Sequence, residues 1–173
     1  MDQGEFEELY RREWPVLMSQ VVLLCGERAE AADCVQEAFV KAWQHRGRLD
    51  ADADAGGWLR TAAVRVAVSR WRKNRSAALA WARLATRRLG GGDEVQVPFD
   101  VDEPLGRALL ALPIRQREVV VMHHVMDMSV AQVADVLGVP DGSVRGWLSK
   151  GRAAVLAGLD AAVETADDVE AWR

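Results

Sequence analysis

The stretch VAQVADVLGVPDGSVRGWL, Val130 to Leu148, constrains the fold more than any other part of the chain. Apolar Val133 and Leu137 lead to Gly138, small Ala134 stands four residues before that glycine, Val139 follows it, and Val144 lies six beyond. Two helices that cross closely need a small residue at the crossing, and a short turn between them needs a residue tolerant of positive φ. Ala134 and Gly138 meet those demands, and Val144 is placed to plug the second helix into the first. Ser129 is a natural N-cap for the first helix and Asp141 for the second. The spacing predicts a helix-turn-helix. Arg145, Ser149, Lys150 and Arg152 fall on the outward part of its second helix, within reach of phosphates and base edges in a major groove. An αα-hairpin that binds no nucleic acid would satisfy the same packing demands. Gly146 and Gly151 each cost about 1 kcal/mol relative to Ala, which predicts a helix that stays soft until DNA or a partner orders it.

Elsewhere the period is also helical. Phe6, Leu9, Tyr10, Trp14, Leu17, Met18, Val21 and Val22 recur at steps of three and four and stop at Gly26, with a break or bend expected at Pro15. Ala31, Val35, Ala38, Phe39, Ala42 and Trp43 repeat the pattern up to Gly47. LDADADAGG reads as a loop, and a third helix follows from Trp58, continuing past Arg75. Ala, Leu, Val, Arg and Glu dominate while Tyr and Ile are scarce, so the expected fold class is all-α. Residues 90–104 have the glycines, prolines and acids of a flexible linker. The predicted organisation is a helical domain over 1–89, the linker over 90–104, a helix-turn-helix domain over 105–160 and an acidic tail over 161–173. Short acidic tails are usually disordered.

Charge is distributed unevenly. The chain carries a net charge of -4, yet from Trp58 to Gly90 there are nine bases and no acid, against twelve acids and six bases before it and fourteen acids and seven bases after it. Such asymmetry speaks to partners rather than to fold. In WLRTAAVRVAVSRWRKNR, Leu59, Ala62, Ala63 and Val66 share one face, Arg65, Arg72 and Arg75 another, and Trp71 lies near Val64 and Ala67. A purely solvated helix usually mixes signs to gain i,i+4 pairs. Bases beside aromatics suit single-stranded nucleic acid, where backbone charge and stacking supply affinity. The preceding helix sets Asp33, Gln36 and Glu37 beside Phe39, Val40 and Trp43, which reads as a protein-docking surface with an aromatic anchor. A plain amphipathic core helix is the bland alternative.

At these residues the sequence resembles the bacterial RNA polymerase sigma factors of the sigma-70 superfamily, in the small extracytoplasmic-function (ECF) group, and is similar to the actinobacterial sigma-E-like subfamily. The order matches from about Phe6 to Val155. FEELYRREWPVLMS comes first, then DCVQEAFVKAW, then the basic helix, and after the tether LPIRQREVVVMHHVMDMSVAQVADVLGVPDGSVRGWLSKGRAAV. The resemblance implies that Asp33, Gln36, Glu37, Phe39, Val40 and Trp43 meet the clamp helices of core RNA polymerase. It implies that Trp58, Arg65, Arg70, Trp71, Arg72 and Arg75 lie along the opened strand of promoter DNA. Ser143, Val144, Arg145, Trp147, Ser149, Lys150 and Arg152 would lie on the upstream duplex, and the acidic linker in a basic channel of the polymerase. It admits an anti-sigma factor as a further partner and implies no catalysis. The chain departs from the family pattern at Arg65 and Ser69, where Asn and Asp are usual, and at Trp147, where a base is common.

Two other readings compete. A polymerase-independent helix-turn-helix regulator would leave the Asp33 to Trp43 surface and the basic helix without a role, and a sigma-factor mimic would bind an inhibitor tightly and DNA weakly. No enzyme is expected, and no cofactor or metal. DADADAGG starts like a calcium loop, but Ala55 stands where the loop needs Gly and Thr61 where it needs Glu. His123 and His124 are adjacent and cannot share one helix face. Cys25 and Cys34 form no CxxC and imply free thiols. No apolar run is long enough for a membrane span and the N-terminus lacks the order of a secretory signal, so a cytosolic protein with no membrane insertion is expected.

Overall fold

The computed structural model describes residues 1–49, 55–81 and 103–170, with side chains through residue 73 of the third helix and residue 161 of the last. The chain divides into two compact units, 1–98 and 99–173. The boundary falls within the predicted linker. Its residues 90–102, like the loop residues 50–54, lie outside the described ones. Among the described residues there are seven α-helices and no strand.

The first unit packs three helices on one another: α1 (Gln3–Cys25), α2 (Arg28–His45) and α3 (Ala55–Trp81). A capping box opens α1, with the Glu5 N–H donating to Asp2 Oδ1 at 2.9 Å and the Asp2 N–H to Glu5 Oε2 at 2.6 Å. Gly26 closes it at φ 79°, its N–H bonded to the Val22 carbonyl. Of the break or bend expected at Pro15, the break does not occur, and α1 runs through it as one helix. Pro15 removes the hydrogen bond to the Arg11 carbonyl and crowds that carbonyl, but every residue from Leu17 to Leu24 is buried and fixes the helix beyond it. Against that buried half, α2 presents Ala31, Cys34, Val35, Ala38, Phe39 and Ala42, at steps of three and four. From α3 come Ala55, Leu59, Ala63, Val64, Val66, Ala67 and Val68. Ala55 to Gly57, assigned to the loop by sequence, already belong to α3.

The second unit contains α4 (Pro104–Leu110), α5 (Ile114–Val120), α6 (Val130–Leu137) and α7 (Asp141–Glu170). A single π-helical turn, Val121–Val125, extends α5 and is capped by Met126, after which Asp127 takes φ 55°. Ser129 caps α6 in a reciprocal box with Gln132, and Gly138 takes φ 66°, with the following Val139 N–H bonded to the Ala134 carbonyl. The predicted cap of α7 is one residue off. The Pro140 carbonyl accepts from Ser143 and Val144, which makes Asp141 the first helical residue, with its carboxylate at the positive end of the helix dipole. α7 also carries helical backbone through the acidic segment to Glu170, where a disordered tail was expected.

The two glycines of α7 differ in kind. A Cβ on exposed Gly146 would meet nothing within 4 Å, whereas one on buried Gly151 would lie 2.6 Å from Val120 Cγ2 and 3.4 Å from the Gln116 carbonyl oxygen. Gly151 is therefore the point where α7 closes on α5, and not simply a weak place in the helix. Gly146→Ala is expected to stabilise the second unit by about 0.8–1 kcal/mol through helix propensity. Gly151→Ala is expected to destabilise it by about 1–3 kcal/mol through overpacking. Urea unfolding midpoints of the two variants should move in opposite directions; a rise for both would remove the close-packing account.

Candidate functional site

The period of α2 separates two surfaces. With Ala31, Val35, Ala38 and Ala42 held inward, Asp33, Gln36, Val40 and Trp43 are exposed and Glu37 half-exposed, a continuous stripe that is acidic at its start and apolar at its end. Val40 is 50% exposed and Trp43 38%. The indole of Trp43 is fixed from two sides, by the Phe6 ring at 5.0 Å between centroids and by the Arg46 guanidinium at 4.1 Å over its face. Phe39 does not belong to this stripe. It is 4% exposed and sits in an aromatic cluster with Phe6, Tyr10 and Trp14, at centroid distances of 6.2, 4.7 and 5.9 Å. Its role is to anchor α2 on α1, which excludes direct docking by its ring.

On α3 the inward set leaves Arg65, Ser69, Arg72 and Lys73 exposed at i, i+4, i+7 and i+8, a single basic stripe. Lys73 was not singled out by sequence, although its spacing from Arg65 places it there. Trp58 and Trp71 are half-buried, the former with its ring 6.0 Å from that of His45. The Arg75 side chain lies outside the described ones.

Arg70 stands apart from the basic stripe. Its Nη1 donates to Asp33 Oδ2 at 3.1 Å and its Nε lies 3.5 Å from Glu37 Oε2, while Lys41 Nζ lies 2.9 Å from Glu37 Oε1. The bond to Asp33 holds the Arg70 pKa above its ordinary range, and Lys41, followed by Arg70, holds the Glu37 carboxyl below its own. A residue expected on the strand surface is thus engaged with two expected on the docking surface. Pairs as exposed as these contribute about 0–1 kcal/mol each, so the cluster orders side chains more than it holds helices together.

In the second unit the inward positions of the first turns of α7 are Val144, Leu148 and Gly151. Val144 is 0% exposed and plugs α7 into α6, so it cannot itself reach a base edge. Arg145, Ser149, Lys150 and Arg152 face outward, and Ser143 and Trp147 are half-buried along the border. His123 Nδ1 bonds to the Met128 carbonyl at 2.7 Å, and partial burial, then His123 and Arg152, keeps the His124 pKa below its ordinary value. Among the described residues no cluster of three potential metal ligands forms, and no helix is long and apolar enough to cross a membrane.

Residues 9–77 match the family model of sigma-70 region 2, and residues 102–155 that of sigma-70 region 4. SigL of Mycobacterium tuberculosis, an ECF RNA polymerase sigma factor, is 30% identical over 146 residues, spanning 81% of this chain and 80% of that protein. SigW of Bacillus subtilis, another ECF factor, is 23% identical over 169 residues, spanning 89% and 88%. Among solved structures, the sigma factor RpoE of Bartonella quintana, crystallised with the anti-sigma factor NepR, superposes with a TM-score of 0.67 at 20% identity, covering 91% of this chain and 98% of that one. CnrH, solved in complex with the cytosolic domain of CnrY, gives a TM-score of 0.58 at 26% identity, covering 92% and 90%. The chain belongs to the sigma-70 family of RNA polymerase sigma factors. Its likeness to SigL and SigW places it in the ECF group. Such a factor is a transcription initiation factor rather than an enzyme. A regulator that works without polymerase would have no use for the region 2 unit.

Proposed function

We propose that this chain binds core RNA polymerase through the exposed stripe of α2, holds the opened promoter strand along the basic stripe of α3 and seats the outward face of α7 on the upstream duplex. The observation that carries the reading is the division of labour within the first unit. One face of α2 is acidic and apolar with an aromatic anchor, and one face of α3 carries Arg65, Arg72 and Lys73 without an acid. Charge of opposite sign on neighbouring helices suits two partners of opposite charge, a basic protein surface and a phosphate backbone. Promoter melting needs both at once, because the strand must be captured where polymerase opens it. The protein acts in the cytoplasm, where polymerase and promoter are found.

An anti-sigma factor is a third partner. CnrH, the 26% identical neighbour, was solved with the cytosolic domain of CnrY. The second unit carries a largely apolar hollow of about 350 Å³ lined by Leu105, Leu109, Val120, His124, Val125, Val155 and Leu156, with Arg152 at its side, a surface suited to the apolar face of a helix.

Replacing Arg72 and Arg75 together with alanine is expected to weaken open-complex formation and to flatten its dependence on salt. Each lost contact to a single strand lowers the log–log slope by about 0.7, so the pair should lower it by about 1.4. Transcription measured across a potassium chloride series reads this directly. An unchanged slope would remove the α3 assignment.

A further inference from the structure

Cys25 is the last residue of α1 and Cys34 lies in the second turn of α2, with the chain reversing between them at Gly26. Both are free thiols. Cys34 is fully buried and Cys25 is half-buried, and the Cys25 thiol lies close enough to act on Cys34 as a hydrogen-bond partner that lowers its pKa. We infer that Cys25 and Cys34 form an oxidation site for peroxides, closing to an intramolecular disulfide that ties the end of α1 to α2.

The roles follow from access. Cys25 meets the oxidant: its thiolate attacks one oxygen of hydrogen peroxide, the S–O bond forms, the O–O bond breaks, and hydroxide leaves to take up the thiol proton as water. Cys34 then attacks the Cys25 sulfur, the S–S bond forms, the S–O bond breaks, and a second water departs with the Cys34 proton. Two thiols lose two electrons and the peroxide gains them, leaving one disulfide and two waters. Cys34 is suited to the second step. The Cys25 hydrogen bond, and after it the positive charge of Arg70, pull its pKa down against the opposing effects of burial, Glu30 and Glu37. The sulfurs must close from hydrogen-bonding distance to about 2.05 Å. Cys25, next to the Gly26 turn, is the freer to move. Cys34 stands beside Asp33 and one turn before Glu37, the two acids that grip Arg70, so the bond would form directly beneath that cluster.

The test uses the full-length reduced chain, treated with hydrogen peroxide while folded, then unfolded in urea, alkylated with iodoacetamide and digested with trypsin without reductant. Cleavage after Arg12, Arg28 and Lys41 places the two cysteines on different peptides, Glu13–Arg28 and Ala29–Lys41. The expected result is loss of both alkylatable thiols together and one linked species, two hydrogens lighter than the sum of the two peptides and abolished by dithiothreitol. In Cys34→Ser, Cys25 should be trapped by dimedone as a sulfenic acid; in Cys25→Ser, Cys34 should stay alkylatable. Three results would each overturn the assignment: both thiols remaining alkylatable, Cys25 advancing to sulfinic acid with Cys34 intact, or a link found only between two chains.

Discussion

Asp33→Arg combined with Glu37→Arg is expected to abolish binding to core RNA polymerase while sparing duplex binding by α7. An acidic stripe suits a basic partner surface, and placing like charges across such an interface costs several kcal/mol. At 1.4 kcal/mol per tenfold, the affinity should fall by at least about 100-fold. The Glu37 carboxyl, like any glutamate, is ionised at neutral pH, and its neighbours Lys41 and Arg70 lower its pKa further. Arg70 supplies the control, because the double reversal also sets two new cations against it. Arg70→Gln removes the internal pairing and leaves the acids in place. If the stripe docks polymerase, Arg70→Gln keeps most of the affinity and the reversal does not, as read by fluorescence titration with core enzyme. Equal losses in both would mean that the acids serve only to hold Arg70.

Val144→Asp should have the largest effect on stability. An aspartate at this fully buried position finds no partner among Val133, Ala134 and Leu137, the buried residues of α6. Its charge costs several kcal/mol, a large part of the 5–15 kcal/mol that holds a typical domain folded. The amide protons of α6 and the first turns of α7 are expected to lose protection in hydrogen exchange, and duplex binding to vanish with them. Arg145→Ala, at an exposed position, should leave that protection intact and weaken binding by about 1–3 kcal/mol if it reads a base edge. Retained protection in Val144→Asp would refute the plug assignment.

The contrast between these two residues shows where sequence reading succeeds. The turn between α6 and α7 was legible because its demands are local: a capping box at Ser129, a left-handed residue at Gly138 and a small residue at Ala134 all act within a few positions. The helical period likewise revealed most of the inward faces of α1 and α2, although Tyr10 and Trp43, both in that period, are exposed. What stayed hidden was set by distant packing. Arg70 meets Asp33 from 37 residues away, a pairing invisible to any local window, so one residue was assigned to the strand and its partners to polymerase. Phe39 and Trp43 are both aromatic and one turn apart, yet only the position of α1 decides that the first is buried and the second exposed. Gly151 looked like a helix defect because the side chain it must clear, that of Val120, belongs to another helix. At Pro15 the reverse holds: propensity allowed a break, which the burial of Leu17 to Leu24 overrides.

The most direct test of the account is run-off transcription on fragmented genomic DNA, with core RNA polymerase from the source organism, in the presence and absence of this chain. The account predicts discrete new transcripts whose start sites share an upstream sequence, lost in Asp33→Arg/Glu37→Arg. Absence of transcripts from a folded chain that still binds duplex DNA would contradict it.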